Sequence, residues 1–369
     1  MSGKKLGAGV VRTDRLLMDG RTIRYYDTQG QSRTAEDQRE AETQPKIGEM
    51  RLDPLNNEWV VMAAHRQNRI FLPPKDLNPL APSRPGSLTE IPESDYEVVV
   101  FDNRSPSLRD TETPAKIPSE LTLDTPPVPA AGKCEVVCFT SNYDASFKDL
   151  SERQIRTVLE AWRDRVEELS KIDYIEHVAP FENRGEEVGV TLAHPHGQIY
   201  AYPNLPVKTA QMLAVATAHK ARTGRVLLDD VVSREIKDKV RIVCENEEWV
   251  AYVPYAARYP FEIHVAPKRS VPDLASLDEK ACDYFPGIAK EVLQRLDGVF
   301  DTKMAYIAAW HQAPVRVGRD VMRLHWQITS VRRAPGKLKY LAGSESAFGA
   351  FMMDVWPEQS AQQLRDVKL

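Results

Sequence analysis

Ala193-His194-Pro195-His196-Gly197-Gln198-Ile199-Tyr200 is the stretch from which the rest of this chain is read. Side chains two apart on a strand point to one face, so a strand through these residues sets His194, His196 and Gln198 in a single polar row. Gly197 removes a side chain from the middle of that row, where another backbone or a phosphate can approach closely. Neutral imidazole is a phosphorus nucleophile. A carboxamide donates a hydrogen bond to a phosphoryl oxygen but delivers no proton, which suits transfer between phosphates, because a phosphate leaving group needs no general acid. Taken alone, the spacing also admits half of a zinc site, or two histidines satisfied by backbone carbonyls.

Beyond residue 133 one order of elements runs twice. A strand over 134–140 precedes a helix opened by Ser151-x-x-Gln154, the spacing of a capping box. Ile155, Val158, Leu159, Trp162, Val166 and Leu169 fall on one face of that helix. A strand over 174–182, a turn at Asn183-Arg184-Gly185 and the histidine strand complete the unit. The second unit has a strand over 261–266 and a helix near Ser276-x-x-Glu279, with Ala281, Phe285, Ile288 and Val292 on one side and a kink at Pro286. A strand over 304–310, the turn His311-Gln312-Ala313-Pro314 and a last strand over 324–329 follow. Recurrence after about 125 residues marks a duplicated α+β domain, of which only the first copy keeps the His-x-His-x-Gln row.

Upstream, residues 33–43 are almost free of apolar side chains, so 1–48 reads as a polar, loosely packed extension. Gly7-Ala8-Gly9 within it follows no strand and does not read as a nucleotide loop. The expected organisation is this extension, an N-terminal domain over 49–205 carrying the histidine row, and a C-terminal domain over 206–369. A chain of 369 residues with 42% hydrophobic content suffices for two such cores. No run approaches the roughly 18 apolar residues that span a bilayer, and no apolar stretch follows the charged N-terminus, so a cytoplasmic protein without membrane contact is expected. The four cysteines form no CxxC pair, and Cys134 and Cys138 stand about 13 Å apart along a strand. Neither a disulfide framework nor a thiolate zinc site is expected. A net charge of −4 gives no general attraction to nucleic acid, so anions must be met by local basic residues.

The row followed by Tyr200-Ala201-Tyr202-Pro203 resembles the signature of the galactose-1-phosphate uridylyltransferase family, in the histidine-triad superfamily. Similarity continues through His65-Arg66, Phe181-Glu182-Asn183-Arg184-Gly185, Tyr252-Val253-Pro254-Tyr255, Trp310-His311-Gln312-Ala313-Pro314 and Lys337-Leu338-Lys339-Tyr340-Leu341-Ala342-Gly343-Ser344-Glu345. The resemblance covers roughly residues 50–369. It implies two tandem histidine-triad-like halves, each an antiparallel-rich sheet with packed helices, and a homodimer with shared active sites. It also implies double displacement: His196 attacks the α-phosphorus of UDP-glucose, releases glucose 1-phosphate and holds UMP until galactose 1-phosphate takes it. Gln198 steadies the phosphoryl oxygens. Arg66 and Arg69 match basic residues that meet substrate phosphates, Asn103, Asn183 and Thr191 match positions around the nucleotide, and His194 stands beside them in the row. Glu345, by the same resemblance, reaches a sugar hydroxyl in the neighbouring subunit's site.

The departures carry expectations of their own. Many family members place a Cys-x-x-Cys pair where this chain has Asn78-Pro79-Leu80-Ala81, and a histidine where it has Asn142-Tyr143, so His194 alone cannot hold a tetrahedral zinc. In the second half, where some relatives bind iron, only His311 clearly persists; Met212 and Thr329-Ser330-Val331 stand at the other positions. No cofactor is expected to be required, and zinc is not expected in the N-terminal half. Met352, Met353 and Ser105 replace more usual polar or aromatic residues near the sugar and base. They keep open a paralogous transferase using another sugar 1-phosphate or an adenine dinucleotide. A non-catalytic nucleotide-sugar binding protein is the alternative of another class, against which the retention of both His196 and Gln198 argues.

Overall fold

Antiparallel pairing carries the fold. The computed structural model describes residues 3–28, 30–41, 45–68, 72–111, 117 and 122–369. Twelve strands form one sheet: β1 (Lys4–Lys5), β2 (Val11–Leu16), β3 (Thr22–Asp27), β4 (Val98–Asp102), β5 (Lys133–Cys138), β6 (His177–Arg184), β7 (His196–Tyr202), β8 (Ile242–Glu245), β9 (Trp249–Tyr252), β10 (Phe261–Pro267), β11 (Tyr306–His311) and β12 (His325–Ser330). Their order across the sheet is β1-β2-β3-β4-β5-β7-β6-β11-β12-β10-β9-β8, and every neighbouring pair is antiparallel. The expected duplication is visible in the pairing, since β7 lies between β5 and β6 just as β12 lies between β10 and β11. Sequence periodicity did not reveal that the halves share one sheet. They join where Phe181, Glu182, Asn183 and Arg184 of β6 pair with Ala309, Ala308, Ile307 and Tyr306 of β11.

One helix from each half covers the same face. In α1 (Glu152–Leu169) the hydroxyl of Ser151 accepts from the Gln154 amide at 3.2 Å, as the capping spacing implies. For α4 (Glu279–Gly298) the cap is Asp278, not the expected Ser276, which ends a preceding 3-10 turn capped by Asp273; the helix runs on through Pro286. Between these helices and the sheet lies one core common to both halves. Trp162 of α1 meets Trp310 of β11 edge-on at 6.0 Å, and Trp310 stacks on Trp326 of β12 at 5.8 Å. Aromatic pairs at such spacings add about 0.5–1.5 kcal/mol beyond their burial.

The N-terminal stretch corrects an expectation. Instead of a loose extension, β2 and β3 form a hairpin whose second strand pairs with β4, and Ile23, Tyr25 and Tyr26 are fully buried. What makes this possible is charge pairing rather than apolar content. The buried Asp164 of α1 accepts from Tyr26 Oη at 2.7 Å, Arg12 Nη1 at 2.8 Å and Lys4 Nζ at 2.5 Å. Arg33 makes a buried two-point contact with Asp27. A further helical pair, α2 (Val207–Thr223) and α3 (Leu227–Asp238), flanks the second half, and α5 (Gly343–Phe348) and α6 (Pro357–Asp366) end the chain. Replacing Asp164 with alanine leaves two cations and a phenol without their acceptor. Loss of one member of a buried ion network costs about 3 kcal/mol or more. Urea unfolding of Asp164→Ala is expected to show that loss, and an unchanged midpoint would mean the hairpin is not anchored there.

Candidate active site

Strand β7 sends alternate side chains to opposite faces. Gly197, Ile199 and Ala201 are buried on the helix side, whereas His196, Gln198, Tyr200 and Tyr202 share the other face and are partly exposed. A Cβ at Gly197 would stand 2.7 Å from the Phe181 carbonyl oxygen and 2.8 Å from Phe139 Cζ. Of the two uses expected for Gly197, close approach of protein atoms is the one this geometry requires. His196 Nδ1–H donates to the backbone carbonyl of His194 at 2.7 Å. A carbonyl only accepts, so this bond fixes the tautomer and leaves the lone pair on Nε2. Burial lowers the His196 pKa against the opposing pull of that carbonyl, so the ring is neutral at ordinary pH. The Gln198 carboxamide has no hydrogen-bond partner among the described residues.

His194 does not belong to the row. It precedes β7, is 1% exposed, and turns its ring into the protein. Asn78 Oδ1 accepts from the Leu80 amide at 3.1 Å, which aims the Asn78 NH₂ at His194 Nδ1 at 3.0 Å. His194 Nε2 donates to the Thr140 carbonyl at 2.8 Å and lies 2.9 Å from Tyr96 Oη. With both nitrogens engaged, the ring offers none to a substrate; its contribution runs through the backbone carbonyl that orients His196. Burial brings its pKa down to about 4.

Other expected residues gather around the row. Arg66 donates to the Ser105 carbonyl at 3.2 Å and to the Ser107 hydroxyl, and lies 3.5 Å from Tyr200 Oη, on the same strand face as Gln198. Asn103 closes a turn by accepting from the Ser105 amide at 2.8 Å, and its own amide bonds the Cys134 carbonyl of β5 at 2.8 Å. On the opposite side, Asn183 of β6 and His196 both line an open cavity of about 620 Å³. Thr191 does not line it, and its carbonyl accepts from the Leu72 amide at 2.8 Å. Neither does Glu345, which lies in α5, bound to Lys339 at 2.9 Å and held by that ammonium at a pKa of about 2. Arg69 lies outside the described residues.

Four contributors carried no expected role. Tyr200 had a signal, since period-two alternation from His196 and Gln198 reaches it. Lys303 and Arg332 come to the cavity from the second half, and no local pattern marks them. Glu182, opposite Gly197 in the sheet, accepts from Tyr306 Oη at 2.9 Å, and its burial raises its pKa to about 7.

The residues at the zinc position do not fit a zinc ion. Asn78 and Tyr143 do converge on His194, the tyrosine ring at 6.1 Å, but their donors are an amide and a phenol, and the imidazole is already bonded. In the second half the His325 ring lies between His264, tilted at 5.1 Å, and His311, stacked at 5.0 Å, and Nε2 of both outer rings meets the Gln327 carboxamide, His311 at 2.8 Å and His264 at 3.3 Å. Among the described residues no three His, Cys, Asp or Glu side chains are grouped to hold a metal.

A neutral histidine with a free Nε2, an uncommitted carboxamide on the same strand face and basic residues from both halves stand together on a duplicated α+β sheet, an arrangement of the transferase class. Family models agree: residues 37–206 match the galactose-1-phosphate uridyl transferase N-terminal domain and 213–369 its C-terminal domain. The chain is 42% identical to galactose-1-phosphate uridylyltransferase of Streptomyces lividans, over 96% of this chain and 98% of that one. It is 34% identical to the Thermotoga maritima protein of the same name, over 87% and 99%. A solved uridylyltransferase structure superposes with a TM-score of 0.77 at 30% identity, over 86% and 98%. This chain belongs to the galactose-1-phosphate uridyl transferase family.

The buried histidines set an acid limit. Burial lowers the pKa of His194 and His177 to about 4 and of His311 to about 3, and it holds that of His325 well below the ordinary histidine value. Below the ordinary histidine value of about 6.5 the unfolded chain takes up protons that these folded rings refuse, so stability falls with pH. Glu182, raised to about 7, acts with the opposite sign, one group against these four and His196. The melting temperature is expected to drop between pH 7 and pH 5; a flat profile would contradict the neutral, desolvated state of these rings.

Proposed function

We propose that the protein moves UMP between UDP-glucose and galactose 1-phosphate by double displacement through His196. The observation that carries this reading is the bond from His196 Nδ1 to the His194 carbonyl at 2.7 Å, which leaves Nε2 as the nucleophile beside Gln198. In the first step Nε2 attacks the α-phosphorus, the bond to the bridging oxygen breaks, and glucose 1-phosphate leaves with that electron pair. In the second, a phosphate oxygen of galactose 1-phosphate attacks the phosphoramidate and returns Nε2 to its neutral form. Gln198 donates to the phosphoryl oxygen in both steps, and neither leaving group needs a proton from it. Arg66 and Arg332 supply positive charge near the phosphates, together with Arg69 as the resemblance implies. Asn103, Asn183 and Thr191 belong to the nucleotide's surroundings in the same reading.

A homodimer fits the C-terminal segment. Tyr340, Phe348, Met352 and Trp356 are 74%, 84%, 65% and 70% exposed. Apolar side chains so displayed around Glu345 mark an interaction surface, and a second copy would bring Glu345 to the partner's sugar site. Four free thiols and the absence of any helix long and apolar enough to cross a membrane among the described residues favour the cytoplasm. No step requires a metal, and the bonded Asn78-His194 pair stands in place of a zinc clamp.

Incubation with UDP-glucose is expected to add one UMP to the intact mass of the wild type and none to His196→Ala. An adduct on His196→Ala would place the nucleophile elsewhere. Gln198→Ala should slow both half-reactions by about 2–4 kcal/mol, as loss of an oxyanion-type donor does; an unchanged rate would reduce Gln198 to a structural role. Elemental analysis of protein purified without added metal should find well under one zinc per chain, and a chelator should leave the melting temperature unchanged. Stoichiometric zinc lost together with stability would overturn the metal-free reading.

A further inference from the structure

The second half repeats the catalytic strand as well as the fold around it. His325-Trp326-Gln327-Ile328 of β12 aligns with His196-Gly197-Gln198-Ile199 of β7. Directly opposed residues share a sheet face. Gln198 opposes Phe181, Phe181 opposes Ala309 and Ala309 opposes Gln327, so the two glutamines stand in one row across four strands. The joint between β6 and β11 relates the two halves. Each His/Gln strand also has a cavity at the loop that enters it. Leu192, Ala193 and His194 line the one at His196, and Val321, Met322 and Arg323 line a second of about 360 Å³ at His325. The second cavity is walled by Met212, Leu228 and Val231 of the α2–α3 pair, with Tyr252 and His264 on its strand side.

Its charge is positive. Lys208 and Arg258 line it, and neither has a carboxylate within ion-pair distance among the described residues. The Lys208 ammonium donates to Gln327 Oε1 at 2.7 Å, and Arg258 lies over the Phe351 ring at 5.7 Å. Glu262 is the neighbouring anion, and it is occupied by His264 at 3.1 Å, the Gln327 amide and the Arg258 backbone N–H at 2.6 Å. Transfer chemistry is absent there. Gln327 Oε1 also accepts from His311 at 2.8 Å, so both ends of that carboxamide are committed. The His325 ring is 4% exposed and lies between two other imidazoles.

We propose that this cavity is a second, non-catalytic nucleotide site, the counterpart of the active site in the duplicated half. The base lies against the apolar wall of Met212, Leu228 and Val231, and the phosphate meets Lys208 and Arg258. A cavity of this size is at the small end of those that hold drug-sized ligands. The ligand class rests on the reading of the first site as a nucleotide site; occupancy of the second is separable from it.

Equilibrium dialysis of the full-length protein with labelled UMP tests this, read alongside the intact-mass assay for the His196 adduct. The wild type is expected to bind two UMP per chain. Leu228→Trp, which fills the cavity, should bind one. Lys208→Gln, which removes the ammonium charge that meets Gln327, should weaken the second site at least tenfold. Both should keep His196 adduct formation within twofold of wild type. One UMP per chain in the wild type that neither variant disturbs overturns the proposal, as do two retained by both folded variants. One UMP per chain that both variants abolish supports the second site while removing the first-site reading.

Discussion

The antiparallel joint between His177–Arg184 and Tyr306–His311 is the constraint on which the rest depends. Through it two similar half-sheets become one, and α1 and α4 come to share a single core through Trp162, Trp310 and Trp326. The joint also places residues of both halves at one cavity. Asn183 and His196 come from the first half, Lys303 and Arg332 from the second. The cavity at His196 therefore has side chains that neither half supplies alone, and a slip of this register by one residue would turn every outward side chain of the second half into the core.

Within that frame the chemistry is prepared by polar satisfaction. A buried imidazole without partners would be costly; His194 is held by Asn78, Tyr96 and Thr140. Its fixed backbone carbonyl then holds His196 and decides which ring nitrogen is free. Hydrogen bonds here join the residues at the position where the family resemblance implies a zinc clamp, and they fix the carbonyl that orients His196. The neutral rings are favoured by their burial, which makes the same residues sensitive to acid.

The two His/Gln rows show how little a motif says without its surroundings. His196 lines an open cavity, and Gln198 has an uncommitted carboxamide. His325 and Gln327 have the same spacing, but Glu262, Lys208 and His311 absorb the carboxamide and two imidazoles cover the ring. One row keeps its carboxamide uncommitted, and the other has both ends of its carboxamide bonded beside a cavity lined by Lys208 and Arg258.

The sequence by itself determined the duplicated α+β order, the face of α1, and the pairing of His196 with Gln198 on one strand face, because these follow from local periodicity and capping. It misassigned His194 to that face, since period-two alternation cannot show that the strand begins at His196. It also called the N-terminal stretch loose, because low apolar content hides a hairpin held by Asp164, Arg12 and Tyr26, partners about 140 to 150 residues apart. Only the tertiary structure decided the single sheet, the engagement of both His194 nitrogens, the arrival of Lys303 and Arg332, and the closing of the second row. Each of these is a contact between residues distant in the chain, and local pattern carries no information about which distant groups will satisfy a buried charge, a ring nitrogen or a strand edge.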